Sequence, residues 1–335
     1  MRSPPRAASR RKGVTSAHPS RAFRRWAVTT VVVTYLLIVV GGIVRVSGSG
    51  EGCGSGVGTG SWPLCHGALV PPADLQTVIE FSHRIFATLS GIGVSTVMIW
   101  ALLRYRSIGR VVAWTVVAQV LWIMQIVLGA VVVQFHLPAN AILIHLANAE
   151  LLLGATTVVA LLAATAGTDR RISWSTPGAR ARLGAGIAVA AFVLVVSGAY
   201  VVDSGASAGC NGWPLCGTGA GVGLSLASKG PDFINLLHRF VAGFVVLFIG
   251  AAVLQIARAH RGEPWIRLTM MAVYVLIVLQ IIAGALVVEL RLPAWTTGLH
   301  LALASAVWLS VVVMAVLSRV RVDRAGPGPA LRFGR

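Results

Sequence analysis

The chain has 335 residues, 56% of them hydrophobic and only 11% charged, with a formal net charge of +18. Soluble domains carry about 25% charged residues, so this composition excludes a soluble globular domain and places the chain in a bilayer. The positive charge is spread as topological signal and not gathered on one patch, which excludes nucleic acid and leaves membrane lipid as the implied surroundings.

In chain order, residues 1–25 carry eight Lys/Arg and read as a disordered cytoplasmic tail. A spanning helix needs roughly 20 mostly apolar residues. Eight segments qualify, near 26–47, 79–103, 110–134, 140–165, 181–203, 232–258, 266–290 and 295–319. The first is too long for a removed signal peptide and lacks its small-residue cleavage site, so it is expected to be a permanent span. The loops after the second, fourth and sixth segments hold Arg104, Arg106 and Arg110, then Arg170, Arg171, Arg180 and Arg182, then Arg258, Arg261 and Arg267. The alternate loops, 48–78, 135–139, 204–231 and 291–294, hold only Lys229 and Arg291. Basic residues mark the cytoplasmic side, so both termini are expected there, in a multi-pass protein of the cell membrane.

The chain also repeats itself. "QIVLGAVVV" from Gln125 matches "QIIAGALVV" from Gln280, and "LPANAILIHLANA" from Leu137 matches "LPAWTTGLHLALA" from Leu292, both at an offset of 155. "WPLC" occurs at 62–65 and again at 213–216. Four helices per half is an even number, so the halves share one orientation. The expected fold is an all-α integral membrane protein, its eight transmembrane helices forming two tandem four-helix bundles in a parallel pseudo-twofold repeat. The halves would be 26–165 and 183–320, with a cytoplasmic linker at 166–182 and a tail at 321–335.

Histidines mark the candidate site. His83, His145, His238 and His300 stand at the outer ends of the even-numbered segments, about four to six residues in, or roughly 6–9 Å deep at 1.5 Å per residue. His83 and His238 are 155 apart, as are His145 and His300. A lone membrane histidine is often a helix–helix hydrogen bonder. Two imidazoles per half at one depth instead suit the axial ligation of a b-type heme iron. Zinc would want three or four protein ligands at that depth. His66 follows Cys65, but position 62 is Trp, so the C-x-x-C-H signature of covalent heme is absent.

All four cysteines lie in the outer loops, where disulfides persist. Four cysteines permit three connectivities, of which one bridge per loop, Cys53–Cys65 and Cys210–Cys216, is the economical choice. A structural staple and a reducible redox bridge are both open for the first pair.

The halves differ in their acids. Glu80 is three residues from His83, on one helix face, whereas the second half has Asn235 before His238. Arg45 aligns with Val201, and Glu51 has no acidic counterpart near Cys210. An ionisable group within a membrane is costly and functional by default. Glu80 therefore marks the first half as the chemical one, although a plain i,i+4 salt bridge to Arg84 is an open alternative. Arg84 and Arg239 stand at a height to meet outward-pointing heme propionates. Glu150 reads equally as part of a proton path or as a helix–helix hydrogen bonder, and Glu289 as a partner of Arg291.

With "EFSHR" opening its second helix, "WPLC" in paired cysteine loops, histidines on even helices and a four-plus-four duplication, residues 26–320 resemble the heme A synthase family. The resemblance implies an oxidoreductase that converts the C8 methyl of heme O to a formyl group, giving heme A. It implies that His83 and His145 flank the substrate heme with Glu80 as the essential acid, and that His238 and His300 hold a heme b cofactor that relays electrons. Implied partners are a heme O synthase upstream, terminal oxidase assembly downstream and an electron acceptor of unknown identity. The first cysteine pair, twelve residues apart, is wider than the close spacing that the family shares with Cys210 and Cys216. The alternative function is a quinol-linked diheme b-type electron-transfer cytochrome, which gives no account of Glu80 against Asn235. A transporter is a third reading, weakened by polar residues at the outer end and not at midplane.

Overall fold

A computed structural model describes residues 18–166, 170–172, 178–216 and 230–322. Its helices are α1 (Arg21–Val46), α2 (Leu75–Arg104), α3 (Gly109–Gln134), α4 (Ala139–Thr165), α5 (Ala179–Asp203), α6 (Pro231–Ala259), α7 (Pro264–Glu289) and α8 (Ala294–Leu317). All eight are long and apolar enough to cross a membrane. Each expected span is present, with its ends displaced by a few residues.

The displacement at the outer ends has a cause. Asp74 caps α2 by accepting a hydrogen bond from the Thr77 amide, which starts the helix before its apolar stretch begins. Thr77 also holds the Asp74 carboxyl below its usual range. Proline opens α6, where the missing N–H costs nothing. The histidines therefore stand further from their helix starts than the apolar stretches suggest. His83 is eight residues past Leu75, His238 seven past Pro231, and His145 and His300 six past Ala139 and Ala294. At 1.5 Å per residue that is about 9–12 Å from each helix start.

Helices α1, α4, α5 and α8 form the centre: α1 packs on α4 and α8, and α5 packs on α4 and α8. The pairs α2–α3 and α6–α7 flank it. Helix α4 is the most enclosed, with 78% of its apolar window buried against 17% for α3 and α7. Its run of Ala, Gly and Thr explains this, because small side chains let helices approach when lipid supplies no hydrophobic contrast. Gly154 of α4 lies under Trp308 of α8, where a Cβ would come within 3.1 Å of the indole.

Glu150, fully buried, links these two helices. Its Oε1 accepts from Ser305 Oγ at 2.5 Å, and its carbonyl accepts from Trp308 Nε1 at 2.8 Å. Of the two roles open for Glu150, the helix–helix hydrogen bond is thus present. Glu150 and Ser305 are 155 residues apart, the offset of the sequence duplication, so equivalent positions of α4 and α8 face each other.

Two features depart from expectation. The linker and the tail each contribute a three-residue strand, β1 (Arg170–Ile172) and β2 (Val320–Val322), paired antiparallel. The β-branched Ile172, Val320 and Val322 favour extended backbone once two chain segments run side by side. Glu289 forms no ion pair with Arg291; its charge instead falls within electrostatic reach of Arg239.

Candidate functional site

Each of the four histidines leans on a glycine of the preceding helix. A Cβ at Gly41 would meet His83 Cε1 at 3.0 Å, and one at Gly129 would meet His145 Cε1 at 3.3 Å. At Gly198 and Gly284 the distances to Cε1 of His238 and His300 are 3.1 and 2.9 Å. A side chain at any of these positions would push the ring inward, so the glycines set how far each imidazole stands off its neighbour helix. Sequence reasoning missed them, because a helical glycine in a membrane is ordinary. The usable signal was Gly129 and Gly284 at the repeat offset.

The histidines come in twos. His145 lies within electrostatic reach of His83, and His238 of His300. Among the described residues, no three His, Cys, Asp or Glu side chains converge as a chelating group. Among the described residues, Nδ1 of His145 is buried without a hydrogen-bond partner, and buried polar atoms are normally paired, so this ring is arranged for something other than packing. Imidazoles standing on glycines, one pair in each half, fit ligation of a heme in each half.

Above the rings, each cysteine loop is clamped to its helix. Cys53 is bonded to Cys65, and Cys210 to Cys216, one bridge per loop as expected. In the first loop the Cys53 amide donates to Glu80 Oε2 at 2.8 Å, and Arg84 pairs through Nη2 with Glu80 Oε1. Arg84 Nη1 then donates to the Leu64 carbonyl of the WPLC motif at 2.8 Å. The backbone beneath is so close that a Cβ at Gly52 would lie 2.4 Å from the Gln76 carbonyl oxygen. The salt bridge held open for Glu80 and Arg84 is therefore present, and the acid does two jobs at once.

The second loop uses the same clamp with an amide. Asn235 donates to the Ala206 and Ser207 carbonyls at 3.0 and 3.2 Å, and its Oδ1 accepts from Arg239 Nε at 2.9 Å. Arg239 Nη1 donates to the Gly212 and Pro214 carbonyls at 2.7 and 3.2 Å, leaving Nη2 buried and unpaired among the described residues. A Cβ at Gly209 would lie 2.5 Å from the Pro231 carbonyl oxygen. Asn235 thus shows that a neutral amide can hold the loop and receive the arginine at this position. A carboxylate at Glu80 is more than the clamp requires.

The remaining asymmetric groups lie outside this constellation. Glu51 pairs with His136 on the surface at 3.3 Å, and Arg45 with Asp203 at 2.8 Å, tying the ends of α1 and α5 together.

Comparison with known proteins bears on this arrangement directly. Residues 24–312 match the COX15-CtaA family, described as cytochrome oxidase assembly protein. The chain belongs to this family. Among its relatives, a heme A synthase of Geobacillus kaustophilus is 30% identical over 90% of this chain and 93% of its own length. The heme A synthase of Bacillus licheniformis is 29% identical, covering 87% and 92%, and that of Geobacillus thermodenitrificans 28%, covering 93% and 95%. Family membership and eight apolar helices make this a multi-pass membrane protein. The matched region takes in all four histidines, both disulfides and Glu80.

Proposed function

We propose that this chain is a heme A synthase, an oxidoreductase that converts the C8 methyl of heme O to a formyl group and supplies heme A for terminal oxidase assembly. The observation that carries this reading is the unequal clamp. Each loop is held by a side chain at the same helix position together with its arginine, yet only the loop above His83 and His145 is held by an acid, which accepts from the loop where Asn235 donates to it.

In this reading residues 26–165 form the substrate half and 183–320 the cofactor half. His83 and His145 hold heme O by its iron, and His238 and His300 hold a heme b. When bound, the heme b iron supplies a one-electron relay. Arg239 is suited to a heme propionate through Nη2, the atom it leaves unpaired. Arg84 has its Nη2 committed to Glu80 and turns toward a propionate only with its remaining donors. Methyl oxidation releases protons as well as electrons. Glu80, one turn from His83, is the acid–base group placed to accept a proton or to stabilise positive charge. Its clamp to Arg84 and to the Cys53 amide fixes the carboxylate in position before substrate arrives. The basic loops support cytoplasmic termini, with the disulfide loops and both heme sites toward the outer face. Heme O synthase upstream, the oxidase assembly machinery downstream and an external electron acceptor are the corresponding partners.

The test is pigment extraction and mass analysis of purified protein made with a source of heme O, wild type beside Glu80→Ala. Heme A or its hydroxylated precursor in the wild type, with heme O and heme B retained in the variant, is the expected result. Two equivalents of heme B in both, with heme O untouched, would leave only an electron carrier. A second variant probes the resident site: Gly284→Ala places a methyl 2.9 Å from His300 Cε1 and forces the ring to move. Heme B per protein, measured as the pyridine hemochrome, is expected to fall while heme O binding persists.

A further inference from the structure

The hydrogen bonds around the four histidines divide the two halves in a second way, independent of Glu80. Asn148 of α4 donates through Nδ2 to the Leu121 carbonyl at 2.9 Å and to Gln125 Oε1 at 2.6 Å. A carbonyl only accepts, so the orientation of the Asn148 amide is fixed, and with it that of Gln125. Gln125 therefore presents its N–H group to His145 Nε2, 3.0 Å away. The nitrogen that receives this bond is the bare one, and the ring proton sits on Nδ1. Gln125 occupies the very atom through which His145 would bind iron.

The second half repeats the glutamine without its anchor. Gln280 Nε2 stands 3.3 Å from His300 Nε2, but 155 residues beyond Asn148 the chain has Leu303, and Gln280 Oε1 is buried without a partner. The opposite histidines differ as well. Ser197 Oγ donates to the Leu194 carbonyl at 2.7 Å, so it accepts from His238 Nδ1–H at 2.8 Å. His238 is thereby held with Nε2 bare, ready as a ligand. Around Gly41, the glycine that meets His83 as Gly198 meets His238, the first half reads Val-Val-Gly-Gly at 39–42 where the second reads Val-Val-Ser-Gly at 195–198, so no serine hydroxyl stands beside His83.

We propose that these neighbours assign the two sites different lifetimes: Ser197 holds His238 as a permanent ligand, whereas the Asn148–Gln125 pair takes back His145 on release and makes the first-half site the exchangeable one. Asn148, Gln125 and Ser197 act here as positioning residues, through the histidines they touch. An anchored amide competes with iron better than a free one, because its ordering has already been met by Asn148. The inference rests on the reading above that each histidine pair holds a heme.

The test follows heme loss from full-length protein carrying heme O and heme B into excess apomyoglobin, with the transferred pigment identified by mass over time. Wild type is expected to lose heme O first. Asn148→Leu, which installs the second-half residue, is expected to slow heme O loss by about 3–10-fold, the equivalent of one net hydrogen bond. Ser197→Ala is expected to speed heme B loss by about 10-fold or more and to leave heme O loss unchanged. A folding defect would loosen both hemes together and cannot mimic opposite shifts. Should Asn148→Leu lose both, Gln125→Leu, which leaves α4 intact, decides by the same heme O rate. Either rate staying at its wild-type value, or heme O leaving faster once the anchor is gone, overturns the proposal alone. A wild type that takes up no heme overturns the functional reading and this inference with it.

Discussion

Glu80→Gln is expected to lower heme A formation by about 100-fold or more while both hemes stay bound, because positioned acid–base groups contribute about 10²–10⁴. The second half supplies the reason to expect an intact fold. There an amide, Asn235, receives the arginine through Oδ1 and donates to two loop carbonyls, and its loop is clamped no less tightly. Glutamine in place of Glu80 retains an oxygen for Arg84 or for the Cys53 amide, and loses the charge and the proton-accepting oxygen. The measurement is the ratio of heme A to heme O in extracted pigment, read beside total heme per protein and the intact Cys53–Cys65 bridge. Activity within about tenfold of wild type, with heme content unchanged, would reduce Glu80 to a loop anchor and move the acid–base role elsewhere. Loss of heme and of activity together would point the same way.

How far these features could be seen in the sequence follows from the range of the interactions behind them. The eight spans are local properties of 20-residue windows, and all eight stand in the structure within a few residues of their expected places. Their outer ends were misjudged where a polar cap, Asp74 at α2, extended a helix past its apolar part. The paired histidines were legible through spacing alone, since 155 separates both His83 from His238 and His145 from His300. Gly41, Gly198, Ser197 and Asn148 were not, because each acts across a helix–helix contact whose rotation no single helix specifies. Helices α3, α4, α5 and α7 are apolar on nearly every face, so periodicity could not say which side turns inward. The Glu80–Arg84 pair was visible as i,i+4, but the Cys53 amide that completes it comes from a loop 27 residues away. The strands β1 and β2 join segments that the sequence presents as two unrelated polar ends.

Arg84→Ala is expected to be among the most destabilising single changes at the site, at about 3–5 kcal/mol, because it strands a buried carboxylate. Glu80 is only 3% exposed, and without Arg84 its one remaining partner among the described residues is the Cys53 amide. The cost lies in the uncompensated charge and not in the lost attraction, and this yields two checks. Removing the charge as well, in Arg84→Ala/Glu80→Gln, is expected to recover most of the loss, so the double variant is more stable than the single one. Arg239→Ala, whose side-chain partner Asn235 is neutral, is expected to cost about 1–3 kcal/mol, the penalty of freed neutral acceptors (Asn235 Oδ1 and the Gly212 and Pro214 carbonyls). Unfolding of purified protein in detergent, followed by helical circular dichroism, gives all three values on one scale. Access of a reductant to Cys53–Cys65 and Cys210–Cys216 reports loop release separately in each half. Equal costs for the two arginines, or a double variant no better than Arg84→Ala, would mean that the acid adds no cost of its own to the clamp and that the first clamp is the same device as the second. If the costs separate as expected, the first half carries a fixed negative charge in direct contact with its clamp arginine, where the second half has only Glu289 within electrostatic reach of Arg239, and that contact is maintained at the expense of stability. A charge kept on such terms is what selection for chemistry, and not for loop anchoring, leaves behind.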